Sequence, residues 1–171
     1  IVNEVWKKHP PQDWQVTYLP HGINEKIFYP ISKFDEEYKH VENMRKQLTD
    51  DEVEFIIFYN NRNIRRKMPG DVIMAFKHFC DQLSKEDADK CCLLMHTQPR
   101  DENGTDLPVV ASTLAPNYKV YFSDRKLEPN QLNWLYNMCD VTMNLASNEG
   151  FGLGTCESLM CGTPIIVNVT G

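Results

Sequence analysis

Two carboxylates flank a glycine-rich turn near the end of the sequence. Glu149 and Glu157 lie eight positions apart, and the residues between them include Gly150, Gly152 and Gly154. Amides at the start of a helix bind a diphosphate, and carboxylates accept hydrogen bonds from hydroxyl groups. A nucleoside diphosphate sugar offers both kinds of group in one molecule. The run therefore predicts a sugar-nucleotide site, with an ordinary solvated βα turn as the alternative.

A cluster of cations occurs earlier in the chain. Four of the six residues from Arg62 to Lys67 are basic. Cleaving a sugar from its nucleotide leaves negative charge on the diphosphate, and cations stabilise that charge. Arg62 and Lys67 are predicted to do so, whereas Arg65 and Arg66 are interpreted as solvated. The spacing of histidine and cysteine suggests no metal site, so we expect metal-independent chemistry without a bound cofactor.

Composition limits the classes of protein. The 171 residues fit one globular domain, and the net charge of −6 argues against binding to nucleic acid or to an anionic membrane. No apolar run approaches the ~20 residues of a membrane span, and no signal peptide is visible. Six cysteines without a C-x-x-C pair indicate reduced thiols. A cytoplasmic location is expected, with peripheral membrane attachment of the full-length enzyme as a variant.

Apolar runs alternate with helical patterns along most of the chain. This alternation predicts an α/β fold with a Rossmann-like parallel sheet and helices on both faces. The predicted strands are 14–19, 54–59, 91–96, 118–122, 141–146 and 164–168, and the predicted helices are 36–48, 71–83, 107–114, 129–138 and 155–161.

Polar residues follow four successive predicted strands. In a parallel sheet, ligands bind outside the carboxyl ends of the strands. The polar loops at these ends are therefore expected to gather along one edge of the sheet. They comprise Arg62 to Lys67, His96 to Asp106, Ser123 to Leu127 and Ser147 to Glu157.

The sequence resembles retaining GT-B glycosyltransferases of the GT4 type over nearly its whole length. Glu149 and Glu157 match the E-x7-E motif of these enzymes, and Arg62 with Lys67 is similar to their Arg-x4-Lys phosphate-binding element. Asn61 and Met68 stand where the family often has glycine. The resemblance extends to the segment that enters the C-terminal domain and to the helix and strand before E-x7-E, here Leu19–Asn24, Phe28–Pro30 and Leu132–Val141.

This resemblance implies the C-terminal half of a GT-B fold. Residues 1–20 are then an interdomain segment, and residues 21–171 are a nucleotide-sugar-binding domain truncated at its C-terminal end. The missing N-terminal domain is expected to carry the acceptor site. The isolated fragment is therefore expected to be inactive and to self-associate through uncovered apolar surface.

The resemblance also implies roles for individual residues. The donor is a nucleoside diphosphate sugar, transferred with retention to an unknown acceptor. Glu149, Arg62 and Lys67 are the implied catalytic residues, and Glu157 is expected to bind the ribose hydroxyls. The predicted nucleotide-binding residues are Gly150, Phe151, Gly152, Leu153, Gly154, Thr155, Glu157, Arg125 and Leu127, the last two near the base.

Three other classes of function are alternatives to sugar transfer. A dehydrogenase is disfavoured, because the dinucleotide motif G-x-G-x-x-G requires glycine where this chain has Thr155. A GT-B-like sugar-nucleotide epimerase or a phosphorylase keeps the fold, but Arg62 and Lys67 together with the E-x7-E motif favour the transferase. A sugar-nucleotide-binding module without catalysis is the remaining alternative.

Overall fold

The computed structural model describes residues 7–12 and 14–170. Its strands are β1 (Phe55–Asn60), β2 (Cys91–His96), β3 (Lys119–Ser123), β4 (Val141–Asn144) and β5 (Ile165–Val167). Its helices are α1 (Tyr38–Leu48), α2 (Pro69–Cys80), α3 (Lys85–Asp89), α4 (Leu107–Leu114), α5 (Pro129–Asn137) and α6 (Leu153–Met160), and a single 3-10 turn spans Arg65–Lys67.

The five strands form one parallel sheet in the order β3-β2-β1-β4-β5. Asn60, His96 and Ser123 occupy matching positions at the carboxyl ends of β1, β2 and β3. The chain builds outward from β1 to β3 and then returns to place β4 on the other side of β1. The crevice between the ends of β1 and β4 is therefore the topological switch point, where ligands of such sheets bind.

Helices cover both faces of the sheet, as predicted. One core contains Val72, Ile73 and Phe76 of α2, and the other contains Val41 of α1 and Leu135 of α5. Because both faces are covered, the central strands are continuous apolar runs without alternation. The predicted Rossmann-like fold is confirmed.

The strand predicted at residues 14–19 is wrong. The described residues of this segment form a turn and irregular structure, and Trp14, Tyr18 and Leu19 are exposed. A strand needs a partner for its backbone groups, and none of the described strands pairs with this segment. The domain boundary at residue 20 remains a prediction, and residues 1–6, 13 and 171 of the two predicted segments lie outside the described residues.

Helix α3 was not predicted. It has five residues and begins after Ser84, whose side chain accepts a hydrogen bond from the amide of Asp87. A helix this short shows too few turns for an amphipathic pattern to be recognised.

Apolar side chains remain exposed on α6 and around β5. Leu159, Ile166, Val167 and Val169 are each at least 40% exposed. Within the described sheet, β5 pairs with β4 alone. Self-association through this surface stays a prediction.

Two expectations from the sequence concern the state of the cysteines and the presence of membrane-spanning segments. All six cysteines are free, and five of them are buried. No helix in the described ranges is both long enough and apolar enough to cross a membrane.

The buried side chain of Asn63 fixes the loop after β2 against the loop after β1. Its amide nitrogen donates to the carbonyl oxygens of Pro99 and Thr105 at 3.2 and 2.6 Å. Its amide oxygen accepts a hydrogen bond from the backbone N–H of Thr105 at 3.2 Å. A Cβ atom on Gly104 would lie 2.2 Å from the backbone oxygen of Asn63. The contact therefore leaves no room for a side chain at residue 104.

We expect Gly104→Ala to lower the free energy of unfolding by about 1–3 kcal/mol, because this overpacking forces the two loops apart. Gly22→Ala is the matched control, since nothing lies within 4 Å of a Cβ atom there. Urea denaturation of both variants measures the difference. Equal free energies of unfolding in the two variants would show that the two loops accommodate the added methyl group without cost.

Candidate functional site

The loops after β1 and β4 meet at the switch point. The backbone N–H of Ser147, after β4, donates to the carbonyl oxygen of Arg66, after β1, at 2.8 Å. The 3-10 turn and the segment leading to the glycine-rich turn therefore lie side by side. For these two loops, the predicted gathering at one edge is confirmed.

The carboxylate of Glu149 is bound by three side chains. Lys67 Nζ donates to Oε1 in an ion pair, and Asn144 Nδ2 donates to the same oxygen at 3.1 Å. Arg66 Nη1 lies 3.4 Å from Oε2. The side chains of Lys67 and Glu149 are only 11% and 17% exposed, so the pair is largely shielded from water. Two of the three predicted catalytic residues, Lys67 and Glu149, are thus in direct contact.

The neighbouring side chains stabilise the ionised form of Glu149. Burial alone would raise its pKa, but the hydrogen bonds from Lys67 and Asn144 and the charges of Lys67 and Arg66 keep the pKa below its ordinary value of 4.5. The carboxylate is therefore anionic at neutral pH.

Arg65 and Arg66 differ from each other. Arg65 is exposed, as the solvated interpretation predicts. Arg66 also donates to the carbonyl oxygen of Asn148 at 3.1 Å, besides its contact with Glu149. Arg66 is exposed as well, with 46% of its side chain accessible to solvent, so the solvated interpretation misses only its contacts with Glu149 and Asn148, which are distant in sequence.

Arg62 is paired with a different carboxylate. Its Nε and Nη2 atoms donate to the two oxygens of Asp101 at 2.8 and 3.3 Å, a two-pronged contact. Asp101 lies in the loop after β2 and its side chain is 4% exposed, whereas that of Arg62 is 62% exposed. No hydrogen bond or ion pair in the described ranges joins Arg62 to Lys67 or Glu149. Asp101 was not singled out from the sequence.

The backbone after Lys67 takes a conformation that favours glycine. Met68 has φ 50° and ψ 47° and is the single non-glycine residue with positive φ in the described ranges. This is the position where the resembling family often has glycine. The left-handed conformation costs a non-glycine residue roughly 1–2 kcal/mol. The turn that presents Lys67 therefore lowers the stability of the fold.

The glycine-rich turn ends at the N-terminus of α6. Gly152 caps the helix with φ 82°, which glycine adopts without strain. The amides of Leu153 and Gly154 donate no hydrogen bond to any described residue, as expected for the first turn of a helix. Phe151 is 42% exposed, and its ring centroid lies 4.9 Å from that of His21. The turn thus offers unpaired amides at the switch point.

Glu157 lies one turn into α6 and contacts a buried tyrosine. Tyr136 Oη donates to Glu157 Oε2 at 2.9 Å, and Asn60 Nδ2 donates to Tyr136 Oη at 2.8 Å. Burial raises the pKa of Glu157, and the hydrogen bond from Tyr136 acts against that rise. Asn60 and Tyr136 were missed from the sequence, because a tyrosine within an apolar helical pattern suggests only core packing.

A small recess opens beside Glu149. It has a volume of about 160 Å³. Its polar lining comes from Asn144, Glu149, Thr155, Asn168 and Thr170. The hydroxyl of Thr155 accepts a hydrogen bond from Asn144 at 3.2 Å, so Asn144 links the two sides of the recess.

A larger cavity lies away from these residues. Its volume is about 560 Å³, and α1 and the segment before β1 line much of it. Three cations line it, and one of them, Arg45, already donates to the carbonyl oxygens of Val53, Glu54 and Met138. Because the segments that line the cavity precede β1 and β4, it lies away from the carboxyl ends of the strands and is a weaker candidate than the switch point despite its size.

The residues predicted near the base lie across the sheet from Glu149. Arg125 is exposed after β3, and Leu127 packs against the core on the α1 side. Three strand spacings separate β3 from β4, which is about 14 Å. His96 Nδ1 and Ser123 Oγ are 3.1 Å apart, so a second cluster of polar side chains lies at the ends of β2 and β3. Nucleotide binding by Arg125 and Leu127 stays a prediction.

One Asp-x-Asp pair is present in the sequence, Asp87 and Asp89. It lies in α3, which precedes β2, and therefore at the opposite edge of the sheet from the switch point. In the ranges that the structure covers, no three histidine, cysteine, aspartate or glutamate side chains are grouped to hold a metal ion. Metal-independence stays a prediction.

Comparison with known proteins identifies relatives of this chain. Residues 40–171 match the sequence model of the family described as glycosyl transferases group 1. The D-inositol 3-phosphate glycosyltransferase of Stackebrandtia nassauensis is 28% identical over 160 residues, which is 92% of this chain. The chain spans 34% of the length of that relative.

Solved structures share the fold. The C-terminal domain of a glycosyl transferase group 1 family protein from Francisella tularensis superposes with a TM-score of 0.63 at 18% identity, covering 85% of this chain and 70% of that one. The Anabaena protein HepE, solved in complex with UDP and glucose, gives a TM-score of 0.66 at 16% identity and covers 88% of this chain and 37% of that one. At these identities the likeness concerns the fold.

Proposed function

This chain belongs to the glycosyl transferases group 1 family, and we propose that it forms the donor-binding half of a two-domain, retaining glycosyltransferase of the GT4 type. The donor is a nucleoside diphosphate sugar. One observation carries the proposal: Lys67, Glu149 and the unpaired amides of α6 meet at the switch point. The complex of HepE with UDP and glucose supports the class of ligand.

The diphosphate is held by cations and amides. Lys67 and Arg62 follow β1, and the first amides of α6 lie after β4, next to β1 in the sheet. As the bond from the anomeric carbon to the diphosphate oxygen breaks, negative charge grows on the departing group. Fixed cations and a helix N-terminus stabilise that charge without reorganising. This arrangement needs no metal ion, and metal-independence is part of the proposal.

The sugar and the nucleoside take opposite sides of the diphosphate. The recess beside Glu149 accepts the sugar, whose hydroxyls donate to the carboxylate. Glu157 accepts hydrogen bonds from the ribose, and the base extends toward Arg125 and Leu127. A second domain supplies the acceptor and excludes water. Retention rests on the family resemblance.

Glu149→Ala distinguishes sugar from diphosphate recognition. The variant is expected to bind UDP-glucose roughly tenfold or more weakly, which is the loss of hydrogen bonds to a charged group. Binding of UDP is expected to stay the same or tighten, because the change frees Lys67 and Arg66 from their carboxylate partner. Calorimetric titration with both ligands, and with the ADP and GDP pairs, measures this.

Glu86→Ala is the control, since this carboxylate is highly exposed on α3, away from the switch point. A similar loss of affinity for UDP and UDP-glucose in Glu149→Ala would contradict the division between sugar and diphosphate.

A further inference from the structure

We propose that Tyr136, supported by Asn60, is the positioning residue for Glu157: it holds one carboxylate oxygen inward and leaves the other facing the nucleotide. The inference rests on the proposed function, in which Glu157 binds ribose hydroxyls. It assigns a role to two residues outside the motifs that suggested the site. Tyr136 acts through Glu157 and does not touch the ligand.

The position of the tyrosine hydroxyl is fixed by packing. Tyr136 is fully buried. Its ring packs edge-on against Phe58 and Phe28, with centroid distances of 5.3 and 6.1 Å. A close-packed interior does not let such a ring change rotamer freely. The hydroxyl therefore stays at one point beside the N-terminal turn of α6.

The direction of each hydrogen bond follows from the donor inventory. An ionised carboxylate only accepts, so the hydroxyl proton of Tyr136 goes to Glu157 Oε2. The hydroxyl oxygen then has only lone pairs left, and the amide nitrogen of Asn60 donates to it. Asn60 thus favours the orientation in which Tyr136 points its proton at Glu157.

The second oxygen of Glu157 is left available. Oε1 accepts no hydrogen bond from any described residue, in contrast to Oε2. A carboxylate has about four acceptor positions on its two oxygens. The free oxygen matches the two vicinal hydroxyl donors of a ribose, which a fixed carboxylate binds with less loss of rotamer freedom.

Helix α6 approaches this tyrosine closely because residue 154 is glycine. A Cβ atom there would lie 3.2 Å from Tyr136 Oη and 3.3 Å from the carbonyl oxygen of Asn60. Gly154, predicted as a nucleotide-binding residue, therefore has a second role in packing. It sets the spacing between α6 and the end of β1, and with it the distance from Tyr136 to Glu157.

The ionisable surroundings of Glu157 are sparse. Tyr136 is the ionisable group on α5 that contacts it, and the pKa of Tyr136 is raised well above its ordinary value by burial and by the charge of Glu157. At the end of α6, burial and the charge of Glu157 raise the pKa of Cys161 to about 12. The neighbouring strands β4 and β5 contain only uncharged residues. The hydroxyl and the thiol both stay protonated at neutral pH.

The role of Tyr136 predicts a pH signature. Ribose hydroxyls donate to the ionised form of Glu157, so nucleotide affinity falls as the pH falls through the pKa of this carboxylate. The hydrogen bond from Tyr136 lowers that pKa, while burial raises it. Tyr136→Phe removes the hydrogen bond that lowers the pKa of Glu157. The pH midpoint of nucleotide binding therefore moves upward in this variant.

The test measures the affinity for UDP, ADP and GDP by calorimetry across neutral and mildly acidic pH. Tyr136→Phe is expected to bind roughly three- to tenfold more weakly at neutral pH and to show the raised midpoint. Glu157→Gln is expected to leave only the pH dependence of the nucleotide's own terminal phosphate, whose second pKa is about 6, and Tyr136→Phe is expected to add little in the double variant. Asn60→Ala leaves the aromatic packing intact and is expected to give a smaller loss in the same direction.

Tyr118→Phe is the matched control, because its hydroxyl also donates to a carboxylate, that of Asp81 at 2.7 Å, away from the switch point. The positioning role is overturned if Tyr136→Phe and Asn60→Ala bind with unchanged affinity and midpoint while Glu157→Gln binds weakly. Failure of the unmodified chain to bind any of the three nucleotides overturns the proposed function as well.

Discussion

Glu157→Ala is expected to weaken binding of a nucleoside diphosphate by roughly 10- to 150-fold. Hydrogen bonds to a charged group contribute about 1.5–3 kcal/mol, and each 1.4 kcal/mol is about tenfold in affinity. The carboxylate is partly buried at the switch point with one oxygen free for a ligand. Few other polar groups stand near it, so no described side chain replaces the lost contact. Isothermal titration calorimetry measures the change.

The control for this variant is Glu86→Ala. Glu86 lies on α3 and is highly exposed, with Lys90 3.9 Å away. The Glu86→Ala variant removes the same charge far from the site, and its effect on nucleotide affinity is expected to be negligible. Unchanged affinity in a folded Glu157→Ala protein would remove Glu157 from the site.

Lys67→Met is expected to reduce both stability and nucleotide affinity. The change keeps much of the apolar stem but removes the cation that pairs with Glu149. A loss of about 1.5–3 kcal/mol in the free energy of unfolding is expected, below the ~3–5 kcal/mol for a fully buried pair, because Asn144 and Arg66 still contact the carboxylate. Affinity for UDP falls at least tenfold, since a phosphate ligand is lost and Glu149 is left less compensated.

The stability effect has a defined pH dependence. The pKa of Glu149 is lowered in the folded state, so the stabilisation from its charge is fully present above the unfolded value and is lost as the pH falls through the folded value. The stability difference between Lys67→Met and the unmodified chain is therefore largest near neutral pH. It shrinks as the pH falls below 4.5 and through the lowered pKa.

Lys77→Met provides the comparison for Lys67→Met. Lys77 pairs with Asp81 four residues on, along α2, and both side chains are about one-third exposed. Exposed helix pairs of this kind contribute roughly 0.3–0.5 kcal/mol. Equal effects of the two lysine variants on stability and on affinity would show that Lys67 is an ordinary surface cation.

The sheet could be predicted from sequence because its strands are continuous apolar runs between polar segments. Strand β1 was predicted at 54–59 and spans Phe55–Asn60, a shift of one residue. Helix α2 begins at Pro69, two residues before the predicted start, because proline is favoured at the first helical position. Residues 14–19 have a strand-like composition but lack a partner, which no local pattern reveals.

The site could be predicted only in part. Glu149 and Glu157 were found because they lie in one short motif. The pairing of Lys67 with Glu149 depends on β4 returning to lie beside β1, which is a property of topology and not of local sequence. The pairing of Asp101 with Arg62 could not be predicted for the same reason, since the two residues follow different strands.

The most direct test of the site is to follow the backbone amide signals of the chain by NMR while UDP, ADP or GDP is added. The proposed function predicts that at least one nucleotide shifts the amides of Lys67, Leu153 and Gly154 and leaves those lining the larger cavity at Arg45 unchanged. The same shifts are expected to disappear in Lys67→Met combined with Glu157→Ala. Shifts confined to the cavity at Arg45, or no shifts with any of the three nucleotides, would contradict nucleotide binding at the switch point.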